Sequence, residues 1–367
     1  MKLVIISHTA HYKTTEGEIV GWGPTVTEIN HLLPLFDKIY HCSFLHSEEP
    51  PKSSLPYTSS DIEFIPLTPS GGKGILQKLT VFSTLPETLK TIRSTLELAD
   101  IFQFRAPTGI GIYLIPYLTY FERKKGWFKY AGNWNQKKSP PAYALQRWML
   151  KKQSRRVTIN GTWPDQPENI ISFDNPCLTI ADREKGLLAV QTKTLEGKPS
   201  ICFVGNLTLE KGFDIFMDVL DQMTDHLEEI HVIGDGPLRS TYEKKCPSVI
   251  FHGYLPKEGV HDVYLNCHFI GLPSLSEGFP KVIAEGINFG CIPIVSDISG
   301  IGQIIKEEEN GFLIKSITRE GFKLALNKAL KIKNNDYRNI SEINYQLASR
   351  FTYDIYVQNL KSKVLNI

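Results

Sequence analysis

Two carboxylates, Glu277 and Glu285, flank the start of a short predicted helix in PSLSEGFPKVIAEG, residues 273–286. Pro280 suits the first helical position and Gly290 the end, which predicts a helix of about ten residues. The N–H groups at a helix N-terminus bind anions, whereas neighbouring carboxylates accept hydrogen bonds from hydroxyls. A nucleotide sugar, which combines phosphates with sugar rings, matches this combination. An ordinary amphipathic helix with solvated acids explains the same residues equally well.

Residues compatible with phosphate also follow two predicted strands. Lys211 and Gly212 come soon after the strand SICFVG, and a lysine charge beside an unobstructed backbone suits a phosphate. The tight turn 234–236 follows the strand EIHVIG. It lacks the third glycine of a dinucleotide-binding fingerprint, and SGGKG at 70–74 lacks the full P-loop pattern, so we interpret the latter as a plain loop.

Short apolar runs that alternate with helical stretches must position these residues. In the C-terminal half the runs are continuous, which predicts a parallel sheet covered on both faces. The N-terminal half repeats the alternation less regularly, with helices expected from about residue 23 to residue 35 and near 75–98. We therefore expect an α/β protein with two Rossmann-like, doubly wound parallel-sheet domains that face each other across a ligand-binding cleft. The predicted domains are residues 1–176 and 177–350.

The composition is that of a folded protein without a membrane span. Of 367 residues, 41% are hydrophobic and 22% are charged, and no apolar run reaches the about 18 residues that a span needs. The N-terminal MKLVIIS predicts a strand and not a signal peptide, so we expect a cytoplasmic protein. Six scattered cysteines without a C-x-x-C pair indicate neither a zinc site nor disulfides, but small core residues.

Basic charge is concentrated in residues 123–156. The net charge of the chain is only +2, yet this segment contains eleven Lys and Arg residues and no acid. Trp127, Phe128 and Trp148 interleave with the charges. Such a surface suits anionic lipid headgroups on the cytoplasmic face of a membrane, or an anionic acceptor; we expect no nucleic-acid partner. Alternatively, the aromatic residues belong to the core and the charges keep the surface soluble.

In their order and spacing, several segments resemble the donor-binding half of retaining glycosyltransferases of the family-4 type (glycosyl transferases group 1), which have the GT-B fold. They are FVGNLTLEKGFD, HVIGDGPL, VIFHGYL, PSLSEGFPKVIAEG and NGFLI, and they cover about residues 200–315. The E-x7-E pair of Glu277 and Glu285 is the most specific piece. In the N-terminal half, EGEIVGWGPTVTEINHLL is similar to the glycine loop and first helix of such enzymes. The final segment, residues 351–367, resembles their tail helix, which returns to the first domain.

The resemblance implies a transferase whose substrate is a nucleotide sugar and which needs neither a cofactor nor a metal. Backbone N–H groups of residues 279–281, with Lys211 and the glycine loop, would hold the departing diphosphate. Glu277 would lie against the donor sugar and Glu285 would accept the ribose hydroxyls, while 234–236 and 252–255 would line the base. The catalytic candidates are Glu277, Lys211 and Asn133. The donor-binding candidates are Gly21, Gly23, Asn206, Gly234, Gly236, His252, Gly253, Tyr254, Leu255, Gly278, Phe279, Pro280, Lys281 and Glu285.

Two positions depart from the family pattern. Asn206 stands where many relatives have Arg, and Gly132 with Asn133 stands where they often have His. Asn133 can hydrogen-bond a donor hydroxyl, but it cannot titrate near neutral pH. The acceptor-side candidates are His8, His11 and Arg105. For the two histidines, ordinary polar loop residues are the simpler interpretation.

The sequence therefore predicts a retaining, metal-independent hexosyltransferase that moves a sugar from a UDP-linked donor to a saccharide or lipid-linked saccharide. Surface polysaccharide synthesis is the expected role, with peripheral membrane contact through residues 123–156. One alternative is a GT-B sugar-nucleotide epimerase or phosphorylase, although the chain is short for a phosphorylase that uses pyridoxal phosphate. Another is a nucleotide- or saccharide-binding module with degenerate catalysis, which Asn206 and the missing His favour.

Overall fold

The chain divides into two units in a computed structural model that describes residues 1–72, 74–136, 139–164 and 166–366. The first unit comprises Met1–Asp174 and Tyr356–Ile367, and the second comprises Asn175–Ile355. The strands are β1 (Lys2–Ile6), β2 (His11–Lys13), β3 (Ile19–Trp22), β4 (Lys38–His46), β5 (Ser54–Pro56), β6 (Ile62–Leu67), β7 (Ile101–Ala106), β8 (Lys125–Tyr130), β9 (Val157–Asn160), β10 (Ile170–Phe173), β11 (Ile201–Val204), β12 (Ile230–Ile233), β13 (Ile250–Gly253), β14 (Phe269–Leu272), β15 (Ile292–Ser296) and β16 (Phe312–Ile314).

Helices connect these strands, and short 3-10 turns precede or follow several of them. The α-helices are α1 (Gly23–Asn30), α2 (Ile75–Ser83), α3 (Leu85–Glu97), α4 (Gly111–Tyr120), α5 (Pro141–Lys151), α6 (Ile180–Thr192), α7 (Phe213–Leu220), α8 (Arg239–Lys245), α9 (Lys257–Asn266), α10 (Lys281–Asn288), α11 (Ile301–Ile304), α12 (Arg319–Ala329), α13 (Asn334–Ala348) and α14 (Tyr353–Asn359). The π-helical segment Leu360–Leu365 follows α14.

The first unit is built on a sheet in the order β10-β9-β8-β7-β1-β4-β2-β3-β5, with β6 also paired to β4. The strands from β10 to β4, and β6, pair in parallel, whereas β3 is antiparallel to both β2 and β5. Alternate residues of β1 enter different apolar clusters: Val4 and Ile6 pack in one, and Leu3 and Ile5 in the other. Both faces of this sheet are therefore covered, as expected for a doubly wound domain.

The second unit has a fully parallel sheet in the order β13-β12-β11-β14-β15-β16. Its strands are short, continuous apolar runs whose residues are mostly buried, and helices from α6 to α13 complete one large core around them. The strand order reverses between β11 and β14, because the chain moves outward to β13 and then returns to the other side of β11. The predicted α/β class with parallel sheets is confirmed.

Two predicted helices are shorter than expected, and proline explains both. The helix expected over 23–35 ends at Asn30 and is followed by a 3-10 turn, Leu33–Leu35, because Pro34 lacks the N–H that an α-helix would need there. The helix expected near 75–98 is broken into α2 and α3 around Thr84, two residues before Pro86. In the predicted loop 70–74, residue 73 lies outside the described residues.

The prediction that the cysteines are core residues is confirmed, since all six are buried. Within the ranges given above, no helix is both long enough and apolar enough to cross a membrane. The last segment, from Tyr356, belongs to the first unit, and Tyr356 and Leu360 are buried there.

Candidate active site

The carboxyl ends of four parallel strands in the second unit carry most of the predicted donor-binding residues. Asn206 follows β11, the turn 234–236 follows β12, residues 253–255 end and follow β13, and 273–281 follow β14. Open parallel sheets bind ligands at this edge, next to the place where the strand order reverses. In this unit that place lies between β11 and β14.

Two glycines bring the turn after β12 against the loop after β11. Gly234 has φ of +122°, and a Cβ there would lie 2.0 Å from the carbonyl oxygen of Gly205. A Cβ on Gly236 would lie 2.6 Å from the carbonyl oxygen of Leu207. Contact between protein segments therefore explains both glycines, and Asn206 is exposed in the same loop.

An ion pair joins the two predicted catalytic side chains of this unit. Lys211 Nζ donates to Glu277 Oε1 at 2.5 Å, and Ser274 Oγ donates to the same oxygen at 2.9 Å. The side chain of Glu277 is 9% exposed, whereas that of Lys211 is 32% exposed. The carboxylate is thus fixed by two donors while the ammonium retains access to solvent. The sequence did not identify Ser274, because a lone serine in a loop has no distinctive pattern.

Gly212 allows Lys211 to reach this position. It adopts φ of +66°, and a Cβ on it would lie 1.9 Å from the carbonyl oxygen of Pro273. The sequence interpretation assigned the close backbone approach at Gly212 to a phosphate. In the structure the approaching group is the Pro273 carbonyl, in the segment that leads to Glu277.

The N-terminus of α10 differs in detail from the prediction. Pro280 precedes the first helical residue, Lys281, instead of occupying that position. The prediction that each residue from 279 to 281 donates an N–H is wrong at Pro280, because proline has none. The N–H donors of that stretch belong to Phe279 and Lys281. Phe279 is buried, and its ring stacks on Phe351 with centroids 4.8 Å apart.

Glu285 is half-buried in the second turn of α10. Burial raises the pKa of Glu285, while Lys257 and Lys281 oppose the shift. Lys257 is itself bonded to Asp182, whose Oδ2 lies 2.5 Å from Nζ. Because only an ionised carboxylate accepts hydrogen bonds at both oxygens without donating one, the two lysines favour the form that binds hydroxyls.

His252 belongs to a row of three polar groups on β12 and β13. Its Nε2 lies 3.0 Å from His231 Nδ1, and His231 Nε2 lies 3.0 Å from a carboxylate oxygen of Glu229. Burial, together with His231, lowers the pKa of His252. Beyond β13, the Tyr254 side chain is exposed and Leu255 packs against the core.

The two glycines predicted to form a phosphate loop in the first unit are engaged by the protein. Gly21 lies in β3 opposite His11, and a Cβ on it would lie 2.3 Å from His11 Nε2. Gly23 begins α1, and its N–H donates to the carbonyl oxygen of Ser53 at 3.0 Å. His11 is fully buried in β2, so its interpretation as a polar loop residue is wrong. A three-residue strand is too short for a pattern of alternating burial to reveal it.

The remaining candidates of the first unit lie in three different settings. His8 is exposed just after β1. Arg105, at the end of β7, is buried; its Nε donates to Gln103 at 2.8 Å and its Nη2 to Glu28 at 2.9 Å. Asn133 is half-buried, and its side-chain oxygen accepts a hydrogen bond from a backbone N–H two residues later. Among the residues that the structure describes, no group of His, Cys, Asp and Glu is arranged to hold a metal.

Residues 187–347, which include this strand edge, match the family model of glycosyl transferases group 1. A glycogen synthase from Thermodesulfovibrio yellowstonii is 26% identical over 226 residues, which are 56% of this chain and 44% of that protein. Across the first curated relatives the match spans 28–44% of each relative's length.

Solved structures resemble the whole chain. HepE of Anabaena, in complex with UDP and glucose, superposes with a TM-score of 0.70 at 15% identity and covers 100% of both chains. The lipopolysaccharide outer core galactosyltransferase WaaB gives 0.65 at 18% identity, covering 100% of this chain and 99% of that one. At such identities the likeness establishes the fold and not the substrate. The chain therefore has the GT-B fold, and its residues 187–347 match the glycosyl transferases group 1.

Proposed function

We propose that the protein is a retaining, metal-independent hexosyltransferase that moves a sugar from a UDP-linked donor to a saccharide or lipid-linked saccharide. The second unit is the donor domain and the first unit the acceptor-side domain. The observation that carries the proposal is the Lys211–Glu277 pair at the strand-order reversal, with Glu285 on the helix that follows.

The ion pair suits the exchange that donor binding requires. Without a donor, Glu277 neutralises the Lys211 charge. An incoming diphosphate offers Lys211 stronger anionic partners, while the sugar hydroxyls can donate to the carboxylate that Lys211 leaves. Positive potential at the leaving group and a polar clamp on the sugar are the electrostatic needs of glycosyl transfer. Ser274 keeps Glu277 in position during this exchange.

Glu285 would then bind the ribose. Phe279 and Lys281 lie at the N-terminal end of α10, where their N–H groups would hold a phosphate oxygen. Support for a UDP-linked donor comes from the solved structure of HepE, which contains UDP and glucose. On the first unit, His8 and Arg105 are proposed for the acceptor, and Asn133 for a donor hydroxyl.

A surface polysaccharide role agrees with the structural likeness to a lipopolysaccharide galactosyltransferase. Fewer residues of the segment 123–156 would be available for membrane contact than its composition indicates. Trp127 and Phe128 are core residues, and Lys129 is buried against Glu28 at 2.5 Å. By contrast, Trp148 is 59% exposed on α5.

The donor proposal is tested by binding and turnover measured on the same samples. UDP should raise the melting temperature of the wild type more than other nucleoside diphosphates do, since a ligand at about 100 Kd adds about 2.7 kcal/mol. Glu277→Gln should retain UDP binding and lose UDP release from UDP-sugars. Glu258→Gln, an exposed change on α9, is the matched control and should leave both unchanged.

Other outcomes identify the alternatives. Conversion of the UDP-sugar to an epimer without an acceptor would indicate an epimerase, and UDP binding without turnover of any donor would indicate a binding module. Loss of turnover in EDTA would contradict metal independence. Flotation with anionic vesicles that is unaffected by salt and by Trp148→Ala would remove the membrane role of residues 123–156.

A further inference from the structure

A chain of buried hydrogen bonds runs through the first unit behind the end of β1. Ser7 Oγ lies 2.8 Å from His41 Nε2, and His41 Nδ1 lies 2.6 Å from the Tyr57 hydroxyl. The same hydroxyl lies 2.8 Å from His11 Nε2. Finally, His11 Nδ1 lies 3.0 Å from the carbonyl oxygen of Thr9. Ser7 is 1% exposed and both histidines are fully buried.

One carbonyl group determines which group donates and which accepts in each hydrogen bond of this chain. The Thr9 oxygen can only accept, so His11 carries its hydrogen on Nδ1, and in a neutral ring its Nε2 accepts from Tyr57. Tyr57 has a single hydrogen, so its oxygen must accept from Nδ1–H of His41. His41 Nε2 then accepts from the hydroxyl of Ser7. Burial favours the neutral form of both imidazoles, and in that form each carries its hydrogen on Nδ1.

This chain of hydrogen bonds fixes the backbone of the turn that follows β1. The Thr9 carbonyl accepts from His11 and also from Ser43 Oγ at 2.7 Å, while the Thr9 N–H donates to Ser7 Oγ at 3.1 Å. The neighbouring Ala10 carbonyl accepts from a backbone N–H of β3. Residues 7–10 are thus fixed on both sides, with His8 exposed in the middle.

This turn lies where a ligand of the first unit is expected. β1 is flanked by β4 on one side and β7 on the other, so the strand order reverses beside it. We propose that Ser7, His41, Tyr57 and His11 form a positioning device, which fixes the turn 7–10 and thereby presents His8 to the acceptor. The role of the turn in acceptor binding rests on the proposed function, whereas the fixing of the turn does not.

The surroundings of the chain keep it neutral. Burial lowers the pKa of His11 to about 4, and the nearby His46 adds to this effect. Burial also lowers the pKa of His41 well below its usual value, with contributions from His11 and Arg105. The other neighbours are uncharged: Phe64 packs on the His11 ring and Gly21 lies against its edge.

Tyr57→Phe tests the proposal, because it removes the central oxygen and leaves both imidazoles without that partner. Amide hydrogen exchange at residues 8–11 should accelerate about tenfold or more, which corresponds to the loss of about 1.4 kcal/mol of local stability. Tyr12→Phe is the matched control, because the Tyr12 ring lies beside His46 and outside the chain of hydrogen bonds. In this variant, amide exchange at residues 8–11 should stay at the wild-type rate. Activity of Tyr57→Phe should show a raised KM for the acceptor and an unchanged KM for the donor.

The wild type supplies a test that needs no variant. In histidine-labelled protein, nitrogen NMR should show His11 and His41 as neutral Nδ1–H tautomers at pH 5.5. Titration of His11 or His41 near pH 6.5, or wild-type exchange rates in Tyr57→Phe, would overturn the positioning device. If no nucleotide binds the wild type, the proposed function fails while these two measurements still decide the role of the chain.

Discussion

Acid should destabilise the first unit through His11. Its folded pKa is about 4 and its ordinary value is 6.5, so the unfolded state binds the proton more tightly. Stability is therefore complete above pH 6.5 and is lost as the pH falls toward 4. From these two values the free energy of unfolding should fall by about 2 kcal/mol between pH 7 and pH 5, and by about 3 kcal/mol at pH 4.

Tryptophan fluorescence in urea can measure this loss in the first unit alone. All five tryptophans of the chain lie before residue 175, in the first unit. His11→Gln should be less stable than the wild type at pH 7 but should lose about 2 kcal/mol less between pH 7 and pH 5. Tyr12→Phe removes no group that titrates between pH 5 and pH 7, so it should keep the wild-type slope. Equal slopes in His11→Gln and the wild type would refute the neutral, buried state of His11.

Two further changes test contacts in the second unit. In thermal unfolding, Gly212→Ala should destabilise this unit by about 3 kcal/mol or more, because the new Cβ would lie 1.9 Å from the Pro273 carbonyl oxygen. In the control Gly197→Ala, the glycine has φ of +82° and open space around it, so the substitution should cost only about 1 kcal/mol. Lys193→Met should lower the free energy of unfolding by about 3 kcal/mol, because Lys193 Nζ donates to three carbonyl oxygens at 2.6–2.8 Å. Urea unfolding followed by far-UV circular dichroism measures this loss. The control Lys198→Met, at an exposed position, should leave the free energy of unfolding unchanged. Similar losses within either pair would contradict these assignments.

The fold of the second unit follows closely from its sequence. Strands β11 to β16 are short runs that consist mostly of apolar residues, and such runs between helices indicate a parallel sheet with both faces covered. The position of Lys211 and Glu277 at adjacent strand ends follows from that topology. Their ion pair does not, because it depends on the path of two loops and on the Ser274 hydrogen bond.

The first unit was less predictable because its polar core has no local pattern. Glu28 on α1 pairs with Arg105 on β7 and Lys129 on β8 across long stretches of sequence. A charged residue within an apolar run is interpreted as an exposed side chain unless its ion-pair partner is known. The candidate Arg105 was identified from its place at a strand end, but its buried ion pair was not.

Glycine is the residue type that sequence interpretation separates least well. Both a bound phosphate and a neighbouring protein backbone require that a Cβ be absent. A glycine in the sequence is therefore compatible with either explanation. At Gly21 the excluded volume belongs to the His11 ring, and at Gly212 it belongs to the Pro273 carbonyl. These glycines act before any ligand binds, since they let the strand that carries His11 and the 3-10 turn that carries Lys211 adopt their positions. The proposed nucleotide site at the strand ends therefore depends on glycines that need not contact the nucleotide.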